Sequence, residues 1–238
     1  MKQFLKKHVE PILPLYAIIP LIGSFVFNTI IYSTTMTLCA NLPHYDFTTD
    51  LDRMVPVIPW FTYIYFLSFP FWAINYILIG RGEKKQLFQF LTADLASRVV
   101  CLFFFVFLPT TNIRPEVTGT SLADDLLRFL YSIDQPTNLF PSIHCLVSWF
   151  CFIGIKDRED IPKWYKVFSC IFAIMVFVST QVTKQHYLVD VVGGVLIAEL
   201  TFRISRRVGA YLYVQRFYEK INSWIATSYG KRGDKIAE

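Results

Sequence analysis

Residues 57–79 read VIPWFTYIYFLSFPFWAINYILI, 23 positions in a row without a charged side chain. A helix rises about 1.5 Å per residue, so a run of this length covers the roughly 30 Å hydrocarbon core of a bilayer. Lipid offers no partner to backbone N–H and C=O groups, which forces such a segment to bond internally as a helix. Five more apolar segments lie on either side of it, at 15–37, 87–108, 141–156, 164–182 and 187–205. The composition agrees, with 54% apolar and 17% charged residues, against roughly 25% charged in a soluble domain. The expected fold class is all-α, an integral membrane bundle of six transmembrane helices. The fourth segment is short and starts at Pro141, a residue suited to the first turn of a helix, so its outer end is expected slightly below the membrane surface.

The cations between these segments set an expected orientation. Lys2, Lys6 and Lys7 precede the first; Arg81, Lys84 and Lys85 follow the second; Lys156, Arg158, Lys163 and Lys166 surround the fourth-to-fifth connection; Arg203, Arg206 and Arg207 close the sixth. Lys and Arg collect on the cytoplasmic side, so both termini are expected there. The alternate loops hold Arg53, Arg114, Arg128 and Lys184 among many acids, including Asp46, Asp50, Asp52, Asp124, Asp125 and Asp134. The net charge of +5 is then a topology signal and no nucleic-acid partner is expected. No repeat or linker divides the chain, so residues 1–205 are read as one membrane domain and 206–238 as a basic, interfacial cytoplasmic tail. Cys39, Cys101, Cys145, Cys151 and Cys170 are scattered singly, without ligand spacing, and imply no metal and no disulfide framework.

Two histidines stand at the outer mouths of apolar segments, in Pro141-Ser142-Ile143-His144 and in Lys184-Gln185-His186-Tyr187-Leu188-Val189-Asp190. On a helix His186 and Asp190 share a face, which lets the carboxylate hold one imidazole nitrogen and leaves the other to attack. A second imidazole nearby can move protons, so the pattern fits phosphoryl transfer. Ser142 with His186 and Asp190 would be a rival nucleophile set for acyl hydrolysis, but no GxSxG elbow accompanies it. Asp94 and Arg98 lie four apart within an apolar segment, where an opposite pair neutralises itself. Gly193 and Gly194 are expected to permit close helix approach. Trp60, Tyr63, Tyr65 and Phe66 read as an aromatic belt at the membrane interface, and His44 as a solvated loop residue.

These blocks resemble those of the type-2 phosphatidic acid phosphatase (PAP2) superfamily. Pro141-Ser142-Ile143-His144 is similar to its Pro-Ser-x-His block, Ser179 with His186-x-x-x-Asp190 to its third block, and Arg114-Pro115 to the end of its first. The wording of Asp134-Gln-Pro-Thr-Asn-Leu-Phe-Pro-Ser-Ile-His and His186-Tyr-x-Val-Asp-Val-Val-Gly-Gly194 looks closest to inositol phosphoceramide and sphingomyelin synthases. The lysine of the first block would fall at Phe107 and the arginine of the third at Thr180, so two phosphate-clamping cations are absent.

The resemblance implies a six-span bundle in the cell membrane with an extracytoplasmic site. His186 would be the nucleophile that becomes a phosphohistidine, Asp190 its support and His144 the acid and base, while Arg114, Ser142, Ser179 and Lys184 would bind the phosphate, with no metal or cofactor. It implies a phosphatase acting on a lipid phosphate such as phosphatidate or an isoprenyl (di)phosphate. A lipid head-group phosphotransferase is the first alternative, and a non-catalytic lipid-binding or flipping protein the second. The oligomeric state is left open.

Overall fold

The computed structural model describes residues 7–234. Lys2 and Lys6 of the N-terminal cation cluster, and the last four residues of the tail, lie outside the described residues. The architecture is helical. Helix α1 (Leu15–Leu38) leads through a short outer segment, with strand β1 (Tyr45–Asp46) and helix α2 (Asp50–Met54), into α3 (Phe61–Gly80) and α4 (Lys84–Phe107). Strand β2 (Thr110–Thr111), α5 (Leu122–Ile133), α6 (Ile143–Ile153), α7 (Lys163–Val182), α8 (Leu188–Arg207) and α9 (Tyr211–Asp234) follow.

Four of these helices are long and apolar enough to cross a membrane: α1, α3, α4 and α7. The other two expected spans differ from the sequence reading in instructive ways. Helix α6 has only 11 residues, about 16 Å at 1.5 Å per residue and roughly half a bilayer core. Pro141 does not occupy its first turn; Ser142 is the N-cap, its Oγ accepting from Cys145 N at 3.3 Å, and Pro141 stays outside the helix after a cis peptide bond with Phe140. Helix α8 has 20 residues, but Asp190, Glu199, Arg203, Arg206 and Arg207 make it more polar than the four long spans.

Helix α6 sits inside the bundle, whereas α8 packs one side inward and exposes Val192, Leu196, Leu200 and Ile204 on the other. Helix α8 packs along α4 and α6, while α7 packs on α6 and α3. The core between them holds Leu87, Phe90, Leu91, Leu146, Phe150 and Ala198, all fully or almost fully buried. The outer surface carries residues such as Phe25, Phe103 and Leu196, apolar side chains that are each more than half exposed. That is the inside-out pattern expected where the solvent is hydrocarbon. The tail helix α9 lies against α1 and α4: Tyr218 is buried, Asn222 Nδ2 donates to Tyr16 O at 3.2 Å, and Lys84 pairs with Glu219 at 2.6 Å. Its outer side exposes Tyr213, Phe217 and Trp224.

Two devices fix the loop that feeds α6. Strand β2 pairs in parallel with β1, and Thr110 Oγ1 accepts from Phe140 N at 2.7 Å. At the other end the first turns of α6 and α8 touch backbone to backbone, Ser142 N donating to Asp190 O at 3.1 Å. A Cβ at Gly194 would lie 2.5 Å from Ser142 O, and one at Gly193 would meet the ring of Phe140. Gly194→Val is therefore expected to destabilise the protein by roughly 1–3 kcal/mol through forced separation of α6 and α8. Gly193→Ala, facing a side chain that can move, is expected to cost less. Thermal unfolding of the two variants in detergent checks the order.

Candidate active site

The interhelical contact at Gly194 brings the two histidine blocks together. His144 stands in the first turn of α6 and His186 in the loop before α8, and their ring centroids are 6.0 Å apart. His186 is not helical: Tyr187 is the N-cap of α8, so the histidine precedes the helix. The tight turn from Thr180 to His186, in which Thr180 O accepts from both Gln185 N and His186 N, delivers the imidazole instead. Nδ1 of His186 still faces Asp190 Oδ2, at 3.5 Å, while the same Oδ2 accepts from Tyr187 N at 2.8 Å. Asp190 thus caps α8 and lies behind the imidazole, whose Nδ1 has no hydrogen-bond partner among the described residues.

His144 is backed differently, by groups the sequence reading placed elsewhere. Tyr65 Oη lies 3.3 Å from His144 Nδ1 and 2.7 Å from Asp134 Oδ2. Asp134 Oδ1 accepts from Tyr32 Oη at 2.8 Å. The rings of Tyr65, Trp72 and Phe69 surround the imidazole at centroid distances of 4.2, 5.2 and 5.9 Å. Burial pushes the Asp134 carboxyl up, but His144, the hydroxyls of Tyr65 and Tyr32, and His186 together hold it below the usual carboxylate range. From sequence, Tyr65 is one aromatic in a belt and Asp134 one acid in an outer loop. Asp134 opens the block that ends at His144, but Tyr65 is far from both in sequence, and nothing local signals that a phenol joins them.

The phosphate-binding candidates separate on inspection. Arg114 is at the site: Nη1 donates to Asp134 O at 2.5 Å, Nη2 to Gln185 Oε1 at 2.7 Å, and its guanidinium stacks over Tyr131. Arg114 Nε, Gln185 Nε2 and His144 Nε2 are buried without a hydrogen-bond partner among the described residues. Because arginine is donor-only, the Gln185 amide must turn its oxygen to Arg114, which leaves its NH₂ free. Burying the two donors, Arg114 Nε and Gln185 Nε2, unpaired costs about 1–3 kcal/mol each, and they sit on side chains hydrogen-bonded to each other beside the loop that carries His186.

Ser142, Ser179 and Lys184 are engaged with the backbone. Ser142 Oγ caps α6, and Ser179 Oγ donates to Val176 O at 2.8 Å inside α7. Lys184, at φ 53°, sends its ammonium to Asp52 O at 2.7 Å and Val55 O at 2.6 Å. Burial pulls its proton affinity down, with Asp52 opposing. Asp52 Oδ1 also accepts from Leu188 N at 2.9 Å, so Lys184 and Asp52 clasp the outer segment over the turn that carries His186. The positions of the absent cations are likewise occupied: Phe107 points outward, 70% exposed, and Thr180 is buried beside Cys145.

The described residues hold no group of three or more His, Cys, Asp and Glu side chains spaced to bind a metal ion. Asp94 and Arg98 form a buried pair at 2.7 Å, remote in sequence from both histidine blocks, with Ser24 Oγ donating to the same carboxylate. His44 is half-buried, its Nδ1 2.7 Å from Leu42 O.

Comparison with known proteins agrees with this arrangement. Residues 44–204 match the PAP2 superfamily, a stretch that contains Arg114, both histidines and Asp190. The chain is also similar to an uncharacterized protein of Methanocaldococcus jannaschii, 26% identical over 179 residues that cover 73% of this chain and 70% of that protein. No solved structure matches. With well over half of its length matched, and with the motif histidines facing each other, this chain belongs to the PAP2 superfamily.

Proposed function

We propose that the protein is a membrane lipid-phosphate phosphatase working through a phosphohistidine on His186, with the site on the extracytoplasmic face. The observation that carries this reading is the meeting of His144 and His186, with two buried donors, Arg114 Nε and Gln185 Nε2, that have no partner among the described residues. The superfamily's members are generally phosphatase-type hydrolases, which favours the same chemistry. His186 attacks phosphorus with Nε2 while Asp190 accepts from Nδ1–H, a contact that tightens as the ring gains charge. His144 protonates the leaving oxygen and later takes a proton from the incoming water. Arg114 Nε, Gln185 Nε2 and the amides that open α6 hold the phosphate oxygens. Ser142, Ser179 and Lys184 act from behind, by shaping the backbone that presents these groups.

The orientation follows from a six-span reading in which α6 and α8 complete the bundle. The cationic connections meet at the end away from the histidines: Arg158 Nη1 donates to Leu78 O, and Arg206 pairs with Asp157. Lys and Arg at that end support a cytoplasmic location for it and for both termini.

Head-group phosphotransfer is a second reading, favoured by charge. Arg114 lies near the Asp134 carboxylate, a second carboxylate, Asp190, stands behind His186, and Phe107 and Thr180 occupy the positions of the two family cations. Such a site suits a singly charged phosphodiester better than a doubly charged monoester. Purified protein incubated with labelled phosphatidate, isoprenyl diphosphate, or a phospholipid with diacylglycerol or ceramide separates these outcomes. Released phosphate is expected from the phosphatase. A new labelled lipid would assign the transferase, and saturable lipid binding without turnover would overturn both enzyme readings.

A further inference from the structure

We propose that Asp134 and Tyr65 are positioning residues for His144, fixing its tautomer and aiming Nε2 at the reacting phosphorus. The proposal deepens the function above and rests on His144 acting there as acid and base. A carboxylate only accepts, so the Tyr65 hydroxyl gives its hydrogen to Asp134 Oδ2 at 2.7 Å and turns its oxygen to His144 Nδ1 at 3.3 Å. The nitrogen facing that oxygen carries the hydrogen. In neutral His144 the lone pair then lies on Nε2, the atom left buried without a partner among the described residues.

The relay is anchored on every side. Tyr32 from α1 occupies the other carboxylate oxygen, Arg114 grips the Asp134 carbonyl, and Tyr65 is 1% exposed. Trp72 and Phe69 close on the imidazole and resist its rotation. The titratable or charged groups facing Asp134 are Tyr32, Tyr65, Arg114, His144 and His186, and their balance keeps the carboxyl ionised at neutral pH. The two site histidines thus each have a carboxylate behind them, Asp190 facing His186 directly and Asp134 facing His144 through a phenol.

Neither positioning residue takes a proton. As the N–P bond to His186 forms and the P–O bond breaks, the leaving oxygen keeps the electron pair and receives the proton on Nε2 of the His144 imidazolium. His144 is left as the Nδ1–H form, the base that the second half-reaction needs for water.

Nitrogen-15 NMR of the histidine-labelled full chain in micelles tests the tautomer without any turnover. Wild-type His144, assigned by its absence in His144→Gln, is expected on the Nδ1–H form, and Tyr65→Phe and Asp134→Asn are expected to lose that preference. Kinetics test the consequence. With an alkyl phosphate, kcat of both variants is expected to fall about 100-fold or more, the usual share of a general acid, with KM little changed. With p-nitrophenyl phosphate, whose leaving group needs no proton, the fall is expected to be much smaller, and Asp134→Glu is expected to recover part of the alkyl phosphate activity. A wild-type Nε2–H tautomer, or equal losses on both substrates, would overturn the proposal. If the wild type hydrolyses no phosphate ester, the phosphatase reading fails, and the NMR result still decides the tautomer.

Discussion

Replacing His186 by alanine is expected to lower turnover of a lipid phosphate by about 10⁴-fold or more, equivalent to roughly 5.5 kcal/mol of transition-state stabilisation. The size follows from the role: without the imidazole there is no covalent route, and water must reach phosphorus directly between buried donors. The fold is expected to survive, since the His186 backbone N–H and C=O keep their bonds to Thr180 and Gln181 whatever the side chain. KM is expected to change little, because Arg114 and Gln185 still meet the phosphate. Steady-state kinetics on a purified variant with wild-type unfolding temperature decides it, and retained turnover would redirect attention to Ser142.

The second large effect concerns stability. Asp94 and Arg98 are each about 2% exposed in the middle of α4, paired at 2.7 Å. Removing one partner strands a charge in an interior that excludes water, so Asp94→Ala or Arg98→Ala is expected to cost about 3–5 kcal/mol. The pair itself is imperfectly satisfied: Arg98 Nε and Nη1 have no acceptor among the described residues. Removing both charges with Asp94→Ala and Arg98→Met is therefore expected to restore stability to at least near the wild type. Unfolding of the two singles and the double in one detergent tests the coupling. Turnover in the double variant is expected to match the wild type, whereas a stable but inactive double would assign the pair a functional role.

How far the sequence could be read depended on the range of each interaction. Apolar length is a local property, and α1, α3, α4 and α7 fall close to the expected segments 15–37, 57–79, 87–108 and 164–182. Where competing signals were local but strong, boundaries moved. Ser142 outcompeted Pro141 as the start of α6, and Asp190 capped α8 from within, which pushed His186 out of the helix. The meeting of His144, His186 and Asp190 was legible because they sit in compact blocks. Their environment was not. Tyr65, Asp134 and His144 come from three separate elements, and only their assembly turns a belt tyrosine and a loop acid into neighbours of an imidazole. Lys184 shows the converse: close to His186 in sequence, its ammonium reaches away to the carbonyls of Asp52 and Val55.

Covalent trapping addresses the central claim most directly. Purified protein is mixed briefly with a lipid phosphate labelled at phosphorus, quenched in alkali, digested and mapped by mass spectrometry. The phosphoryl group is expected on His186, stable to base, released by acid and absent from His186→Ala. Phosphorus on Ser142, or none on any residue while lipid phosphate is being turned over, would contradict a reaction that passes through His186.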